Sequence, residues 1–261
     1  MASASEIMSE GYIAITNKTV SVKRYTNESV MIIGDTHLPY MHPDGLAFYQ
    51  WVQEQIKPER VFHTGDLSDQ YGFSRFGKIP EADSLPTELK QIRKGVQDLG
   101  GLFPRMTIIS SNHDDRLYNK GMVAGIPKHL IRPYAEVISC EGFDWKWVQD
   151  YTITLPDRSN LYLTHTKAGT TLSLAKSLGM HVAVGHHHNQ QGIQYFTSPL
   201  KKVFAVDVGC MVDDTHYAFL YNKGTVGRPT LGCAAILDSK PYLFTMDLSG
   251  SGRWKKPLKV A

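Results

Sequence analysis

Seven side chains spread along this chain carry donor atoms suited to metal chemistry: Asp35, His37, Asp66, Asn112, His165, His186 and His188. They offer nitrogen and oxygen but no thiolate, a set that suits Mn²⁺, Fe, Zn²⁺ or Mg²⁺ rather than copper(I) or an iron–sulfur cluster. Seven ligands exceed the needs of one tetrahedral ion. They suit two divalent ions that share a ligand and keep positions open for water and substrate. Only a carboxylate among them bridges readily, so an aspartate is expected between the ions. Asp35 and His37 stand two positions apart, as do His186 and His188. Side chains alternate with period 2 in an extended segment, so each pair is expected to face one way while Thr36 and His187 face the other.

Positioning such a set requires elements that all end at one place. Each donor follows a short apolar run: "VMIIG" before Asp35, "RVFHTG" before Asp66, "MTIIS" before Asn112, "LYLT" before His165 and "VAVG" before His186. Runs of this length, rich in Val and Ile, suit strands buried on both faces. Helical spacing separates several of them. Leu46, Phe48, Tyr49, Val52 and Ile56 follow Asp44, with Pro58 closing the segment. Thr87 is placed to cap a helix carrying Leu89, Ile92, Val96 and Leu99, which Gly100 is placed to end. A weaker pattern runs from Gly169 to Leu178. Alternating strands and helices predict an α/β layered domain, with sites at the carboxyl ends of strands. Beyond Tyr195 the runs are β-like with no clear helix, which predicts a second sheet packed on the first.

The expected organisation is an N-terminal β-prone extension over 1–28, a domain over 29–248 and a mobile basic tail over 249–261. A composition of 42% hydrophobic and 20% charged residues is that of a globular chain. The formal net charge of +3 is too small to argue for nucleic acid by itself. No stretch approaches the roughly 20 apolar residues of a membrane helix, so no membrane partner is expected. The first residues lack a basic start and an apolar block, unlike a secretory signal. Cys140, Cys210 and Cys233 form no CxxC and read as buried residues of a reducing, cytoplasmic compartment.

The motifs together resemble the calcineurin-like metallophosphoesterase superfamily, small bacterial and tailed-phage members above all. Its pattern of D-x-H, G-D-x-x-D/N, G-N-H-D/E, a lone His and G-H-x-H is matched by "DTH" at 35–37, "GDLSD" at 65–69, "SNHD" at 111–114, His165, and "GHHH" at 185–188. The resemblance implies a four-layer α/β/β/α sandwich. It also implies one ion on Asp35, His37, Asp66 and His188 and another on Asp66, Asn112, His165 and His186, with Mn²⁺ the first choice. A metal-held water or hydroxide would attack phosphorus in line, and His113 would stabilise the transition state or protonate the leaving oxygen, oriented by Asp114. Ser111 and Thr166 replace glycines of the family pattern, and Ser111 is expected to be a tolerated small-for-small change.

Around these, Asp69, His63 and His187 are expected to support or pack rather than ligate, and His42, His129, His181 and His216 to be surface or packing residues. In the loop at 70–78, Arg75 and Lys78 are candidates for a substrate phosphate and Tyr71, Phe73 and Phe76 for stacking on a base, the alternative being inward packing. The protein phosphatase branch carries D-x-H-G and an arginine after G-D-x-x-D, whereas Leu38 and Gln70 stand here. The expected substrate is therefore a phosphodiester in a nucleotide or nucleic acid. The alternatives are a phosphomonoester of a small molecule or phosphoprotein, or a metal-binding scaffold without activity.

Overall fold

The computed structural model describes residues 29–74, 79–80, 82–166, 169–216 and 227–257. The expected extension over 1–28, and Arg75, Phe76 and Lys78, lie outside the described residues. Two sheets face each other. The first has the order β11-β10-β1-β2-β3-β4 and the second β5-β6-β7-β9-β8. Their strands are β1 (Val30–Ile33), β2 (Arg60–His63), β3 (Arg105–Ile109), β4 (Asp144–Val148), β5 (Tyr151–Thr154), β6 (Asn160–Thr164), β7 (His181–Val184), β8 (Gly192–Thr197), β9 (Lys202–Asp207), β10 (Gly232–Leu237) and β11 (Lys240–Thr245).

Period-2 alternation explains the layering. On β1, Val30 and Ile32 join Phe62, Leu161, Ala183, Val206 and Ile236 in the core between the sheets. Met31 and Ile33 point the other way, onto Phe48, Tyr49 and Val52 of α1 (Gly45–Ile56) and Ile92, Val96 and Leu99 of α2 (Leu85–Leu102). On the far side, Val182, Val184, Val203 and Ala205 meet Ala175 of a helix at Thr171–Leu178. Strands buried on both faces must be apolar throughout, which is why β1 and β7 read as unbroken runs. The result is a four-layer α/β/β/α sandwich. Between α2 and that last helix lie α3 (Arg116–Val123) and the single turn α4 (Tyr134–Val137), so Thr171–Leu178 is α5.

Three sequence expectations are corrected. Ser84, not Thr87, caps α2, its hydroxyl accepting from Thr87 N–H. Gly100 does not end that helix, which runs on to Leu102; a Cβ at Gly100 would strike the Phe143 ring, so glycine is there for packing. The strands beyond Tyr195 do not form the second sheet by themselves. β8 and β9 complete it, while the β10–β11 hairpin extends the first sheet antiparallel to β1. Within the expected mobile tail, Arg253 and Trp254 are tied to the start and one face of α1. Arg253 pairs with Asp44 and the Trp254 ring packs on Phe48 and Trp51. No described helix is long and apolar enough to cross a membrane.

Candidate metal centre

The site forms where β1, β2 and β3, parallel in one sheet, and β6 and β7, parallel in the other, reach their carboxyl ends at the same edge of the sandwich. The chain does not stay extended there. Asp35, His37, Asp66 and His186 have φ of 49°, 45°, 52° and 69°, in the left-handed region, where a non-glycine residue is held at a penalty of roughly 1–3 kcal/mol. The two-residue spacing of Asp35 and His37 therefore works through left-handed turns, not through strand alternation as the sequence suggested. A rung-by-rung contact holds the turns. Asp35 N–H donates to Gly65 O at 3.0 Å, His37 N–H to Asp66 O at 3.0 Å and Leu38 N–H to Leu67 O at 2.9 Å. Gly185 is required for close approach, since a Cβ there would press on Asp35 Oδ2 and Thr64 Oγ1.

All seven predicted donors converge, in two sets that meet at one atom. Asp66 Oδ2 lies 3.5 Å from His37 Nε2 and 3.3 Å from His165 Nε2. On one side, His37 Nε2 is 3.1 Å from His188 Nε2, which is 3.3 Å from Asp35 Oδ1. On the other, His165 Nε2 is 2.9 Å from Asn112 Oδ1 and 3.1 Å from His186 Nδ1. Metal–ligand bonds of about 2.0–2.2 Å put neighbouring ligands roughly 3.0–3.5 Å apart, the spacing found here.

Tautomers strengthen the fit. His37 Nδ1 is 2.8 Å from Asp69 Oδ1 and His165 Nδ1 is 2.9 Å from Thr64 O. With those protons donated outward, both Nε2 lone pairs face carboxylate and amide oxygens and other imidazoles, so the centre calls for a cation. The other Asp66 oxygen accepts from His113 N–H at 3.2 Å, and both Asp35 oxygens accept from His186 N–H at 2.9 and 3.0 Å. The electrostatics favour positive charge at this centre, whether on the rings or on an ion. Burial pushes Asp66 up, but the facing His165 and His113 outweigh it and hold the carboxyl well below its usual range. Burial would lower His37, yet Asp66 and Asp69 raise it to about 10; His165, opposed in the same way by burial, is raised by Asp66 to about 9.

His113 stands at the edge, Nε2 3.9 Å from Asp66 Oδ2. Its ring is held by Asp69, with Nδ1 3.1 Å from both the carbonyl oxygen and Oδ1. This corrects the expectation for Asp114, which does not orient that ring. Its carboxylate accepts from Leu67 and Ser68 N–H, from Tyr134 O–H at 2.7 Å and from Ser111 O–H at 2.8 Å, clasping the loop that presents Asp66. Burial pushes the Asp114 carboxyl up. Ser111 is more than a tolerated replacement, because its hydroxyl also accepts from Asp66 N–H at 2.8 Å. Tyr71 is corrected too. It is buried in the core beside α2, with its hydroxyl accepting from Ile79 N–H, so its ring packs rather than stacking on a base. Buried Glu88 fixes that turn by accepting from Tyr71 and Gly72 N–H.

The supporting histidines behave as expected. His63 is buried, accepting from Gly65 N–H on Nδ1 and so donating from Nε2 to Thr36 Oγ1; burial lowers its pKa to about 4. His187 turns away to Asp207, 2.9 Å from Oδ1. Two roles escaped the sequence reading. Gln70 donates from its amide to the carbonyls of His113 and Asp114, each at 3.0 Å. Arg116 reaches Asp69 and His113. Arg116 stands three residues past His113, where the turn after that motif enters α3, and this spacing was the available signal.

No family model matches this chain and no curated protein matches it. Among solved structures it is similar to Vacuolar Protein Sorting 29 from Cryptosporidium parvum, at 15% identity over 88% of this chain and 95% of that one, with a TM-score of 0.44. It is similar to YfcE, a phosphoesterase from E. coli, at 12% identity over 80% and 87%, TM-score 0.37. It is also similar to the nuclease MPE of Pseudomonas putida, at 12% over 82% and 87%, TM-score 0.41. Likenesses this distant establish neither activity nor substrate.

Proposed function

We propose that this chain is a metallophosphoesterase of the calcineurin-like type that binds two divalent ions, Mn²⁺ the first choice, and hydrolyses phosphodiesters in nucleotides or nucleic acid. The observation that carries this reading is the single oxygen Asp66 Oδ2 between two sets of inward-facing donors. Asp35, His37, Asp66 and His188 would hold one ion and Asp66, Asn112, His165 and His186 the other. Two such ions, when bound, supply Lewis acidity toward phosphoester oxygens and make water a stronger acid.

The chain's own residues supply the rest. Asp69 and Thr64 O fix the rings of His37 and His165. His113, steadied by Asp69, presents Nε2 at the edge of the centre, where it can give a proton to the departing ester oxygen. The diester preference is supported by position 70. The phosphatase branch is expected to carry a cation there, whereas the neutral Gln70 side chain is committed to backbone carbonyls.

The test is hydrolysis of matched aryl phosphodiester and phosphomonoester substrates by Mn²⁺-loaded protein, beside Asp66→Asn and His113→Ala. Faster diester turnover, lost in both variants, is expected. Monoester preference would put the phosphatase reading first, and two bound ions with no turnover would return the scaffold reading.

A further inference from the structure

We infer that Arg116 is a substrate-binding residue, its guanidinium taking a non-bridging phosphate oxygen beside His113. The inference rests on the phosphoesterase reading of the centre. Arg116 opens α3, directly after the loop that carries Asn112 and His113. Its Nη1 donates to Asp69 O at 2.7 Å and to Asp69 Oδ2 at 3.3 Å, and its Nη2 lies 3.0 Å from His113 Nε2. Three contacts on two nitrogens leave two of the five N–H groups over, and the side chain is 17% exposed. The head is therefore anchored with donors to spare, on a side chain that stays partly exposed.

The position of the guanidinium points to an anion. It sits beside the His113 ring at the edge of the centre, Nη2 3.0 Å from Nε2, on the side where His113 would meet a departing ester oxygen. An anionic oxygen set against this edge would meet the remaining guanidinium N–H groups, and a phosphate offers one with the planar geometry a guanidinium matches. Among the charged side chains described around this edge, Asp66 and Asp69 are anions and Arg116 is the guanidinium.

Binding of inorganic phosphate to the Mn²⁺-loaded protein, followed by calorimetry, tests this without turnover, and steady-state kinetics on the aryl phosphodiester test it with turnover. Arg116→Ala is expected to weaken phosphate binding and raise KM by roughly 10- to 100-fold, with two ions still bound and Tm little changed. Arg116→Lys is expected to recover part of the phosphate affinity, because charge is kept. Unchanged phosphate affinity and KM in Arg116→Ala would overturn the inference. So would a fall in kcat and Tm alone that Lys does not relieve, since that marks a purely structural anchor. Wild-type protein that binds phosphate through Arg116 but hydrolyses nothing would sink the activity reading while keeping this one.

Discussion

The two halves of the centre share an oxygen but differ in enclosure. Asp35 and His37 are fully buried, set by left-handed turns tied to the loop after β2. Asn112 and His186 are exposed at the tips of β3 and β7. The backbone is held on both sides, since His186 of the open half is also left-handed and donates its N–H to both Asp35 oxygens. The difference lies in exposure, and under the proposed function the exposed Asn112 and His186 mark the side from which a phosphoester would enter.

The largest effect should come from the atom the halves share. Asp66→Asn is expected to bring Mn²⁺ stoichiometry from two to one or none and to lower turnover by several kcal/mol, about 1,000-fold; calorimetry and steady-state rates read both. Next, the asymmetry itself can be broken. His186→Ala should weaken one ion by at least about 10–100-fold and leave the other tight, whereas Asp69→Asn, which unseats His37, should weaken the opposite one. If both variants depress the same binding step in a titration, the two halves are not separate sites.

Smaller and purely structural, Ser111→Ala takes partners from Asp66 N–H and Asp114 and should cost about 1–3 kcal/mol in urea unfolding with m unchanged. The smallest effect lies at the start of β7, away from the strand ends that form the centre. His181 stacks on Phe204 and accepts from its N–H, and burial lowers its pKa from 6.5. The unfolded chain then binds the extra proton, so this share of stability is present above about pH 6.5 and is lost as pH falls through it. His181→Phe should flatten the stability difference between pH 5 and pH 8, and an unchanged difference would exclude His181 as its source.

Donor identity was legible because donor chemistry is a property of residue type, and strand ends were legible because apolar runs stop at them. Asp114 was misassigned because adjacency to His113 in sequence does not give adjacency of side chains. The turn after Asn112 carries Asp114 under the β2 loop, leaving Asp69, 44 residues earlier, to hold the ring. Tyr71 was misread because an aromatic in a loop has the same composition signal whether it faces solvent or core. Ser111 looked neutral because a hydroxyl's worth depends on what lies within 3 Å of it.

The sequence by itself determined the seven candidate donors, the strands that precede them and the layered α/β class, since residue type and hydrophobic period are local. Tertiary structure alone decided that Asp66 Oδ2 is the common atom, that Asp114 clasps a loop while Asp69 orients His113, and that Arg116 reaches the edge. Those facts depend on left-handed turns and on two sheets meeting at one end. Such contacts join residues far apart in the chain, and no local pattern records them.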